Sequence, residues 1–478
     1  MTFYDQLYYD GSWHGAKGAR RDLVNPDTEL VSGILQMATD EDCAKAVASA
    51  RKAFASGWGR SSLADRKAAL LRIIKQLEMR ADALAECISN EIGAPIEFAR
   101  TGQVAAGLAH LHATVTALDS LSDDHPLTTH PDHRIRYEPL GVAALITPWN
   151  WPLNQVALKL AGALAAGCTM VLKPSELASR TALILAEAMD AADLPAGVFN
   201  LITGDGAVGA NLIAQPDVDI VSFTGSTATG RFIAAEAAER MTRTTLELGG
   251  KSANILFEDC DVHTAIQQGL AHCFRNAGQS CNAASRMLVA REIYDDAVQL
   301  AATLAAKTQV NRPDQSGAHI GPQISDAQYI RVQNYIETGL HQGAKLIAGG
   351  SGRPTHLAQG YYTQPTVFAD VTPEMTLFRE EIFGPVLTMT PFDSEAEAIA
   401  LANASSYGLA GYIQTADLQR ADRVAQALRV GMVQINGQSR EDGAPFGGRG
   451  LSGYGREAGI WGIRAFQDIK SISGAALA

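Results

Sequence analysis

Apolar and polar positions follow a repeating order through the middle of the chain. Residues 142–147 form a nearly unbroken apolar run that predicts a buried strand. Pro152 and Gly167 bracket the next apolar stretch, which predicts a helix that begins at the proline and ends before the glycine. The pattern then continues with predicted strands at 169–172, 198–202 and 220–223 and predicted helices at 178–192, 207–214 and 227–240. This alternation predicts right-handed crossovers and a parallel sheet, in which ligands bind beyond the carboxyl ends of the strands.

The first hundred residues predict a short β segment, over residues 7–13, followed by helices. Ser62 with Asp65 three residues later makes a capping box, which predicts a helix start. Apolar residues then recur at helical spacing until the sequence Gly-Ala-Pro at 93–95 ends the run: Leu70, Ile74, Leu77, Leu84 and Ile88.

A second α/β pattern begins near residue 253. It predicts helices at 265–276 and 293–308, strands at 385–392 and 431–436, and a glycine-rich loop at 445–453. Two further segments, at about 125–139 and 465–473, alternate apolar and polar residues. We interpret both as exposed strands that need a partner, and therefore as oligomerisation edges.

Composition narrows the class of protein. A chain of 478 residues is too long for one core and predicts two or three domains. A formal charge of -12 argues against nucleic acid or an anionic membrane as the main partner, and no apolar run reaches the roughly 20 residues that span a bilayer. The first residues show no signal-peptide pattern, and the six cysteines form no C-x-x-C pair. We therefore expect a reduced, cytoplasmic protein without a metal site.

Two segments carry the strongest chemical signal. Cys281 has small neighbours in Gly278, Ser280 and Ala283, so a substrate has room to reach its sulfur. Glu247 follows an alternating stretch and precedes two glycines, which let another group approach the backbone closely. A thiolate adds to a carbonyl carbon, and a carboxylate can activate water to hydrolyse the resulting thioester. The alternatives are a buried structural cysteine and a solvated glutamate.

Other polar residues fall at the ends of the predicted strands. Asn150, in a stiff loop between two tryptophans, is either a turn former or an amide donor to an oxyanion. Lys173 and Glu176 stand where a ribose would be bound, and a carboxylate there repels a 2′-phosphate. The segment from Gly225 to Gly230 opens a helix and predicts a phosphate cradle, whereas the G-x-G-x-x-G match at 204–209 is weak alone.

Seven motifs in order give the chain its resemblance to a known family. They are Pro148-Trp-Asn-Trp-Pro152, Lys173-Pro-Ser-Glu176, Phe223-Thr-Gly-Ser226, Leu246-Glu-Leu-Gly-Gly250, Gly278-Gln-Ser-Cys281, Glu381-Ile-Phe-Gly-Pro385 and Pro445-Phe-Gly-Gly448. With these motifs the chain resembles the aldehyde dehydrogenase superfamily over nearly its whole length. The resemblance implies an α/β fold with a Rossmann-like parallel-sheet cofactor domain at 1–120 and 140–249. It also implies an α/β catalytic domain at 250–450 and a small β oligomerisation extension at 121–139 and 460–478.

The resemblance also implies roles for individual residues. Cys281 matches the nucleophile, Glu247 the general base and Asn150 the oxyanion donor. The cofactor is expected to be NAD, with NADP disfavoured by Glu176, and we expect a homodimer or homotetramer. The resemblance implies cofactor binding at Ile146, Thr147, Pro148, Trp149, Lys173, Ser175, Glu176, Gly206, Phe223, Gly225, Ser226, Leu248, Gly249, Glu381 and Phe383.

The implied activity is oxidation of a small-molecule aldehyde to a carboxylic acid. The presence of Glu247 favours this hydrolytic branch over the branch that passes the acyl group to coenzyme A, and the complete set of three catalytic residues argues against a non-catalytic structural relative. We expect the aldehyde tunnel to be lined by Trp151, Phe274, Asn282, Arg440 and Phe446. Arg440 would favour an aldehyde that carries a carboxylate, such as a semialdehyde; the alternative is a surface arginine paired with Glu441 or Asp442.

Overall fold

The computed structural model describes residues 2–474, and within this range the strands form four sheets. The strands are β1 (Thr2–Tyr4), β2 (Gln6–Tyr9), β3 (Ser12–Gly15), β4 (Arg20–Val24), β5 (Val31–Gln36), β6 (Asp124–Leu127), β7 (His130–Pro139), β8 (Val142–Thr147), β9 (Thr169–Pro174), β10 (Phe199–Leu201), β11 (Ile220–Thr224), β12 (Arg243–Glu247), β13 (Ala253–Leu256), β14 (Arg286–Ala290), β15 (Lys345–Ala348), β16 (Thr366–Ala369), β17 (Val386–Phe392), β18 (Ala410–Gln414), β19 (Met432–Ile435), β20 (Gly453–Tyr454) and β21 (Gln467–Ser473).

The helices cover the faces of the two larger sheets. They are α1 (Asp40–Ser56), α2 (Leu63–Glu78), α3 (Ala81–Ile92), α4 (Ile96–Phe98), α5 (Ala105–Asp119), α6 (Pro152–Ala166), α7 (Ser179–Ala191), α8 (Gly206–Ala214), α9 (Thr227–Ala238), α10 (Val262–Phe274), α11 (Arg291–Ala305), α12 (Asp326–His341), α13 (Thr376–Arg379), α14 (Glu395–Asn403), α15 (Leu418–Ala427) and α16 (Gly459–Arg464). Between residues 2 and 474, no helix combines the length and the apolar character needed to cross a membrane.

The first large sheet has eight strands in the order β20-β12-β11-β8-β9-β10-β2-β3. Its five central strands, from β12 to β10, are parallel, whereas β20, β2 and β3 add antiparallel edges. The central strands are almost fully buried because helices pack on both faces. The predicted α/β fold with a parallel sheet is therefore confirmed.

The second large sheet has seven strands in the order β15-β16-β17-β14-β13-β18-β19. All of its pairs are parallel except the one between β15 and β16. Only five residues separate the end of β12 from the start of β13. Loops that follow parallel strands of the first sheet and loops that precede strands of the second sheet border one common cavity.

Several local predictions match the structure closely. The strand at 142–147 has the predicted bounds, and α6 begins at Pro152 and is capped by Gly167. The capping box of Ser62 and Asp65 starts α2. The single helical run expected after it is wrong, because α2 ends at Glu78, Arg80 departs from helical geometry with φ of -108° and ψ of 9°, and the chain restarts as α3.

The two alternating segments find their partner within the same chain. Strand β21 pairs antiparallel with β7 from Gln467↔Pro139 to Ser473↔His133, and β6 pairs with the other edge of β7. Both segments are strands, as expected, and the partner that each needs is the other segment of the same chain. Residues 475–478 of the expected extension lie outside the described residues.

Candidate active site

The loop that carries Cys281 follows α10 and has an unusual backbone. Asn276 and Ala277 both have φ of 54°, and Gly278 has φ of 74°, so three consecutive residues are left-handed. A Cβ on Gly278 would lie 2.1 Å from the backbone of Gly384, which explains why this position needs glycine. A left-handed alanine is strained, and such strain persists only where the surrounding structure holds it.

Hydrogen bonds fasten this loop to the loop of Asn150. The Asn276 side chain donates to the Asn150 carbonyl oxygen at 2.8 Å, and Gln103 donates to the same oxygen at 3.1 Å. The Gln279 side chain accepts from the backbone N–H of Ile324 at 3.0 Å. Both candidate catalytic loops therefore form one rigid, buried network.

Asn150 is buried, with 3 % of its surface exposed, and its side-chain amide points toward the loop that carries Cys281. Its Nδ2 donates one hydrogen to the carbonyl oxygen of Gln279 at 3.0 Å. A side-chain amide has two N–H donors. Because Gln279 fixes one donor, the direction of the other is set by the planar amide, and Asn150 borders the same cavity as Cys281.

Cys281 lies between two cavities. One, of about 290 Å³, is bordered by Cys281 together with Asn150, Gly249 and Glu381. The other, of about 240 Å³, lies on the opposite side of the loop and is also bordered by Cys281. Cys281 therefore borders both cavities, unlike Cys273, which is fully buried and borders neither.

The surroundings of Cys281 act on the protonation of its thiol. Burial raises the pKa of Cys281, and the charges of Glu381 and Glu247 raise it further. The backbone N–H groups of Asn282 and Cys281 oppose this by lowering the pKa. Burial and these two acids thus favour the neutral thiol over the reactive thiolate.

The two glycines after Glu247 allow other groups to pack closely against the backbone, as the sequence predicted. A Cβ on Gly250 would lie 2.4 Å from the carbonyl oxygen of Cys281, so the Cys281 backbone occupies that space. The Gly250 N–H also donates to Glu381 Oε1 at 3.0 Å. Burial raises the pKa of Glu381 to about 7.

Glu247 ends β12 and is 2 % exposed. In the described structure neither of its carboxylate oxygens has a hydrogen-bond partner. A buried ion pair lies nearby, between Lys159 Nζ and Glu457 Oε1 at 2.6 Å. Burial raises the pKa of Glu247 well above the usual carboxyl value, the charge of Glu457 raises it further, and Lys159 lowers it. Sequence reasoning missed Lys159 and Glu457, which stand 298 positions apart.

All fifteen predicted cofactor residues border one of two adjoining cavities. The cavity of about 290 Å³ and a further one of about 250 Å³ share walls at Pro148, Trp149, Thr224 and Gly225. The first is also bordered by Ser226, Leu248, Gly249, Glu381 and Phe383. The second is also bordered by Ile146, Thr147, Lys173, Ser175, Glu176, Gly206 and Phe223.

Chemical details of these walls suit a dinucleotide. Lys173 Nζ donates to the carbonyl oxygens of Gly204 at 2.8 Å and Asp205 at 3.1 Å, which fixes its side chain. Ser226 caps α9 through the N–H of Thr229, so the positive end of that helix faces the wall. The walls of the two adjoining cavities therefore combine a helix N-terminus with a lysine held in a fixed position.

The cavity on the other side of Cys281 contains most of the predicted substrate residues. Trp151, Asn282, Arg440 and Phe446 border it. Phe274 does not: it is 2 % exposed and packs in the core of the second sheet, so the prediction for Phe274 is corrected. Residues that the sequence reasoning missed also border it, among them His110, His272, Arg275 and Gln434.

Two arginines face this cavity. Arg440 donates to the backbone oxygens of Glu441 and Ala444 and lies 5.5 Å from the Phe446 ring centre. Arg275 lies 5.9 Å from the ring centre of Trp151. Among residues 2–474 neither arginine forms an ion pair with a carboxylate, so the expected alternative of a pair with a neighbouring acid is not observed for Arg440.

His272 borders this cavity and also forms a hydrogen bond with the loop that carries Cys281. Its Nδ1 accepts from the backbone N–H of Ala284 at 3.2 Å, and its ring lies 4.7 Å from the Tyr412 ring. The Tyr412 hydroxyl donates to the Asn282 carbonyl oxygen at 2.8 Å. Burial first, and then the charge of Arg275, lower the pKa of His272 to about 4, so it is neutral with its proton on Nε2.

Comparison with known proteins identifies the family. The aldehyde dehydrogenase family model matches residues 13–472. The chain is 47 % identical over 477 residues to a 3-succinoylsemialdehyde-pyridine dehydrogenase from Pseudomonas sp, covering 99 % of both chains. The crystal structure of an aldehyde dehydrogenase from Bartonella henselae superimposes with a TM-score of 0.97 at 46 % identity, covering 99 % of this chain and 100 % of that one.

A second solved structure was obtained with ligands. It is aldehyde dehydrogenase C from Pseudomonas syringae, a cysteine-to-alanine variant in complex with NAD+ and octanal. It superimposes with a TM-score of 0.96 at 43 % identity, covering 99 % of this chain and 97 % of that one. The chain therefore belongs to the aldehyde dehydrogenase family and is an NAD(P)-dependent oxidoreductase that oxidises aldehydes.

Proposed function

We propose that the chain oxidises an aldehyde to a carboxylic acid through a thioester on Cys281 that water hydrolyses with the help of Glu247, with NAD as the electron acceptor. The observation that carries this proposal is the position of Cys281 between two cavities. One cavity continues into the groove suited to a dinucleotide, and the other contains the aromatic and cationic residues of a substrate site. A sulfur in this position can meet an aldehyde from one side and a nicotinamide from the other.

The residues along the groove fit NAD. Glu176 can accept hydrogen bonds from the ribose hydroxyls, and the start of α9 can bind the pyrophosphate. Glu381 and Phe383 border the end of the groove near Cys281, where the nicotinamide ring would lie. When bound, the nicotinamide accepts the hydride that leaves the carbonyl carbon.

In the first chemical step the Cys281 thiol releases its proton to solvent, and the resulting thiolate forms a bond with the aldehyde carbon as the carbonyl π electrons move to oxygen. The carbonyl oxygen then becomes an oxyanion, for which the second N–H of Asn150 and the backbone N–H of Cys281 are the available donors. Loss of hydride from the same carbon restores the C=O bond and leaves the acyl group on sulfur. The network around Gln279 keeps both donors in place during this step.

The second step hydrolyses the thioester. Glu247 removes a proton from a water molecule that attacks the acyl carbon, and the Cys281 thiol leaves. Its buried carboxylate has no competing partner in the described structure, so it is free to turn toward the thioester. We propose that Lys159 and Glu457 together adjust the pKa of Glu247, because the charge of Lys159 lowers it and the charge of Glu457 raises it.

This arrangement predicts a pH effect for Glu457→Gln. The base form of Glu247 exists only above its raised pKa, so deacylation increases with pH through that value. Because the charge of Glu457 raises this pKa, its removal lowers the pKa and should move the acidic limb of the kcat–pH profile to lower pH. Steady-state kcat between pH 5 and pH 9 measures the shift, with Glu239→Gln, which changes an exposed acid, as the control. An unmoved limb in the Glu457 variant would contradict the coupling.

For the substrate, we propose an aldehyde that carries a carboxylate. Arg275 and Arg440 border the cavity, and neither has a carboxylate partner in the described chain. A guanidinium binds a carboxylate through two parallel hydrogen bonds. The curated relative from Pseudomonas sp is named for a semialdehyde, which agrees with a second polar group on the substrate.

Replacing either arginine tests the substrate class. Arg275→Ala and Arg440→Ala should each lower kcat/KM for a semialdehyde with a terminal carboxylate by about 10- to 100-fold, since a hydrogen bond to a charged group contributes about 1.5–3 kcal/mol. The value for a neutral aldehyde of equal length should change little. Arg291→Ala, which removes an exposed arginine paired with Asp393, is the control. An unchanged ratio between the two aldehydes in both variants would reject the carboxylate anchor.

The test of the whole proposal is product analysis. The purified chain, incubated with NAD and a panel of aliphatic, aromatic and carboxylate-bearing aldehydes, should form NADH and the free acid in equal amounts without coenzyme A. Dependence on coenzyme A, with an acyl-coenzyme A product, would establish the acylating alternative instead. Absence of NADH formation, together with no protection of Cys281 from iodoacetamide by aldehyde plus NAD, would establish the non-catalytic alternative.

We also propose roles for the larger units. Residues 1–120 and 140–249 would bind the cofactor, 250–450 would carry the nucleophile, and 121–139 with 460–478 would join subunits into a homodimer or homotetramer. The small sheet of β6, β7 and β21 supports this, since Ile469 on its edge strand is 62 % exposed. Six free cysteines within the described residues support a reduced, cytoplasmic setting.

A further inference from the structure

A cation from the N-terminal sheet contacts Glu176, a wall residue of the groove proposed to hold the cofactor. Arg21 lies on β4, in the small sheet formed by β1, β5 and β4. Its Nη1 stands 3.4 Å from Glu176 Oε1. The Arg21 side chain is 42 % exposed and that of Glu176 is 20 % exposed, so both can change rotamer. Arg21 belongs to none of the seven sequence motifs and borders neither cofactor cavity. Its contact with the site is through Glu176.

A site that only repels the 2′-phosphate of NADP would present acidic groups alone, but the surroundings of Glu176 also contain positively charged side chains. Lys173 Nζ donates to two neutral carbonyl oxygens rather than to a carboxylate. Asp205 is engaged in capping α8 through the N–H groups of Ala207 and Val208. Two cations therefore lie near Glu176: Lys173 in the cavity wall, and Arg21, which contacts Glu176 from outside the wall. Of the two acids, Asp205 is already occupied at a helix start.

We propose that Arg21 determines how strictly this site discriminates between NAD and NADP, an inference that rests on the proposed function. With NAD, Arg21 pairs with Glu176 while the carboxylate accepts hydrogen bonds from the ribose. With NADP, Glu176 turns away from the 2′-phosphate, and the Arg21 guanidinium binds the phosphate in its place. A guanidinium suits this exchange because its fork of donors fits carboxylate and phosphate alike. The enzyme then prefers NAD but retains measurable activity with NADP.

The test compares binding and turnover with the two cofactors. Arg21→Ala should weaken NADPH binding and lower kcat/KM for NADP by about 10-fold, the effect of losing one charge-assisted hydrogen bond. NADH binding and kcat/KM for NAD should change by less than about twofold, because an exposed ion pair contributes little. Fluorescence titration with NADH and NADPH gives the affinities independently of catalysis.

A matched control lies one residue away. Arg20 is on the same strand but donates to Gln36 Oε1 at 2.9 Å and lies over the Phe3 ring, so Arg20→Ala removes the same charge without touching Glu176. The ratio of NADPH to NADH affinity should stay unchanged in Arg20→Ala, and Arg21→Lys should recover part of the NADPH affinity.

Two results would overturn the inference: an equal loss of both cofactors in Arg21→Ala, which would make Arg21 a structural residue, or tighter NADPH binding in that variant. An equal shift of the affinity ratio in Arg20→Ala would also overturn it, because the effect would then follow overall charge. Failure of the unaltered chain to bind NADH would instead reject the proposed function itself, so the two failures are distinguishable.

Discussion

Cys281→Ala should abolish aldehyde oxidation while leaving the protein folded and able to bind cofactor. Cys281 borders both cavities, and removal of its sulfur eliminates the covalent step rather than weakening a contact. Loss of a nucleophile that acts together with other groups lowers kcat by about 10⁴-fold or more. The rate of NADH formation measures this loss, and NADH binding reports whether the cofactor groove survives.

Cys260→Ala is the matched control for this variant. Cys260 lies outside both cavities, in the loop before α10, and is only partly buried. It should retain activity close to that of the unaltered chain and the same melting temperature. Comparable residual turnover in the two alanine variants would mean that another group attacks the aldehyde.

Glu247→Gln should allow one round of aldehyde oxidation and then stop. Glutamine keeps the shape of the side chain but cannot take a proton from water, so acylation proceeds and hydrolysis fails. A general base contributes about 10²- to 10⁴-fold, and steady-state kcat should fall by that factor. Rapid-mixing absorbance should show a burst of NADH close to one per Cys281, followed by a slow phase.

Trapping the acyl group provides a second readout for Glu247. Mass spectrometry of the denatured variant should detect the acyl adduct on Cys281, and hydroxylamine should release it. Glu239→Gln, an exposed acid at the end of α9, should behave like the unaltered chain. A Glu247→Gln enzyme with a normal steady-state rate and no burst would remove Glu247 from the deacylation step.

Local signals in the sequence predicted the framework of the site because they reflect local physics. Pro152 and Gly167 bracket α6 since each suits only one end of a helix, and the buried strand at 142–147 has no polar face to obscure its bounds. Parallel topology places the loops that follow these strands at one edge of the sheet, where ligands bind. The full set of predicted cofactor residues came from the resemblance to the family, since Glu381 and Phe383 lie far along the chain from these strands.

Phe274 shows where such reasoning stops. The sequence predicted a helix to residue 276, but α10 ends at Phe274 and the chain turns left-handed at Asn276 and Ala277. This turn leaves Phe274 in the core and directs Arg275 to the cavity. A backbone reversal that tertiary contacts stabilise gives no periodic signal, and neither does a buried pair such as Lys159 and Glu457.

The antiparallel pairing of β21 with β7 has a consequence for biosynthesis. The partner of Tyr137 is Ile469, which the ribosome adds roughly 330 residues later. At about 5–20 residues per second, β7 waits on the order of 15–65 seconds with one edge open during translation. An unpaired edge of this kind attracts other strands, so nascent chains on one messenger are exposed to mispairing until the last strand emerges. Slow synthesis of the intervening segment should therefore increase aggregation, whereas a chaperone that shields β7 should suppress it.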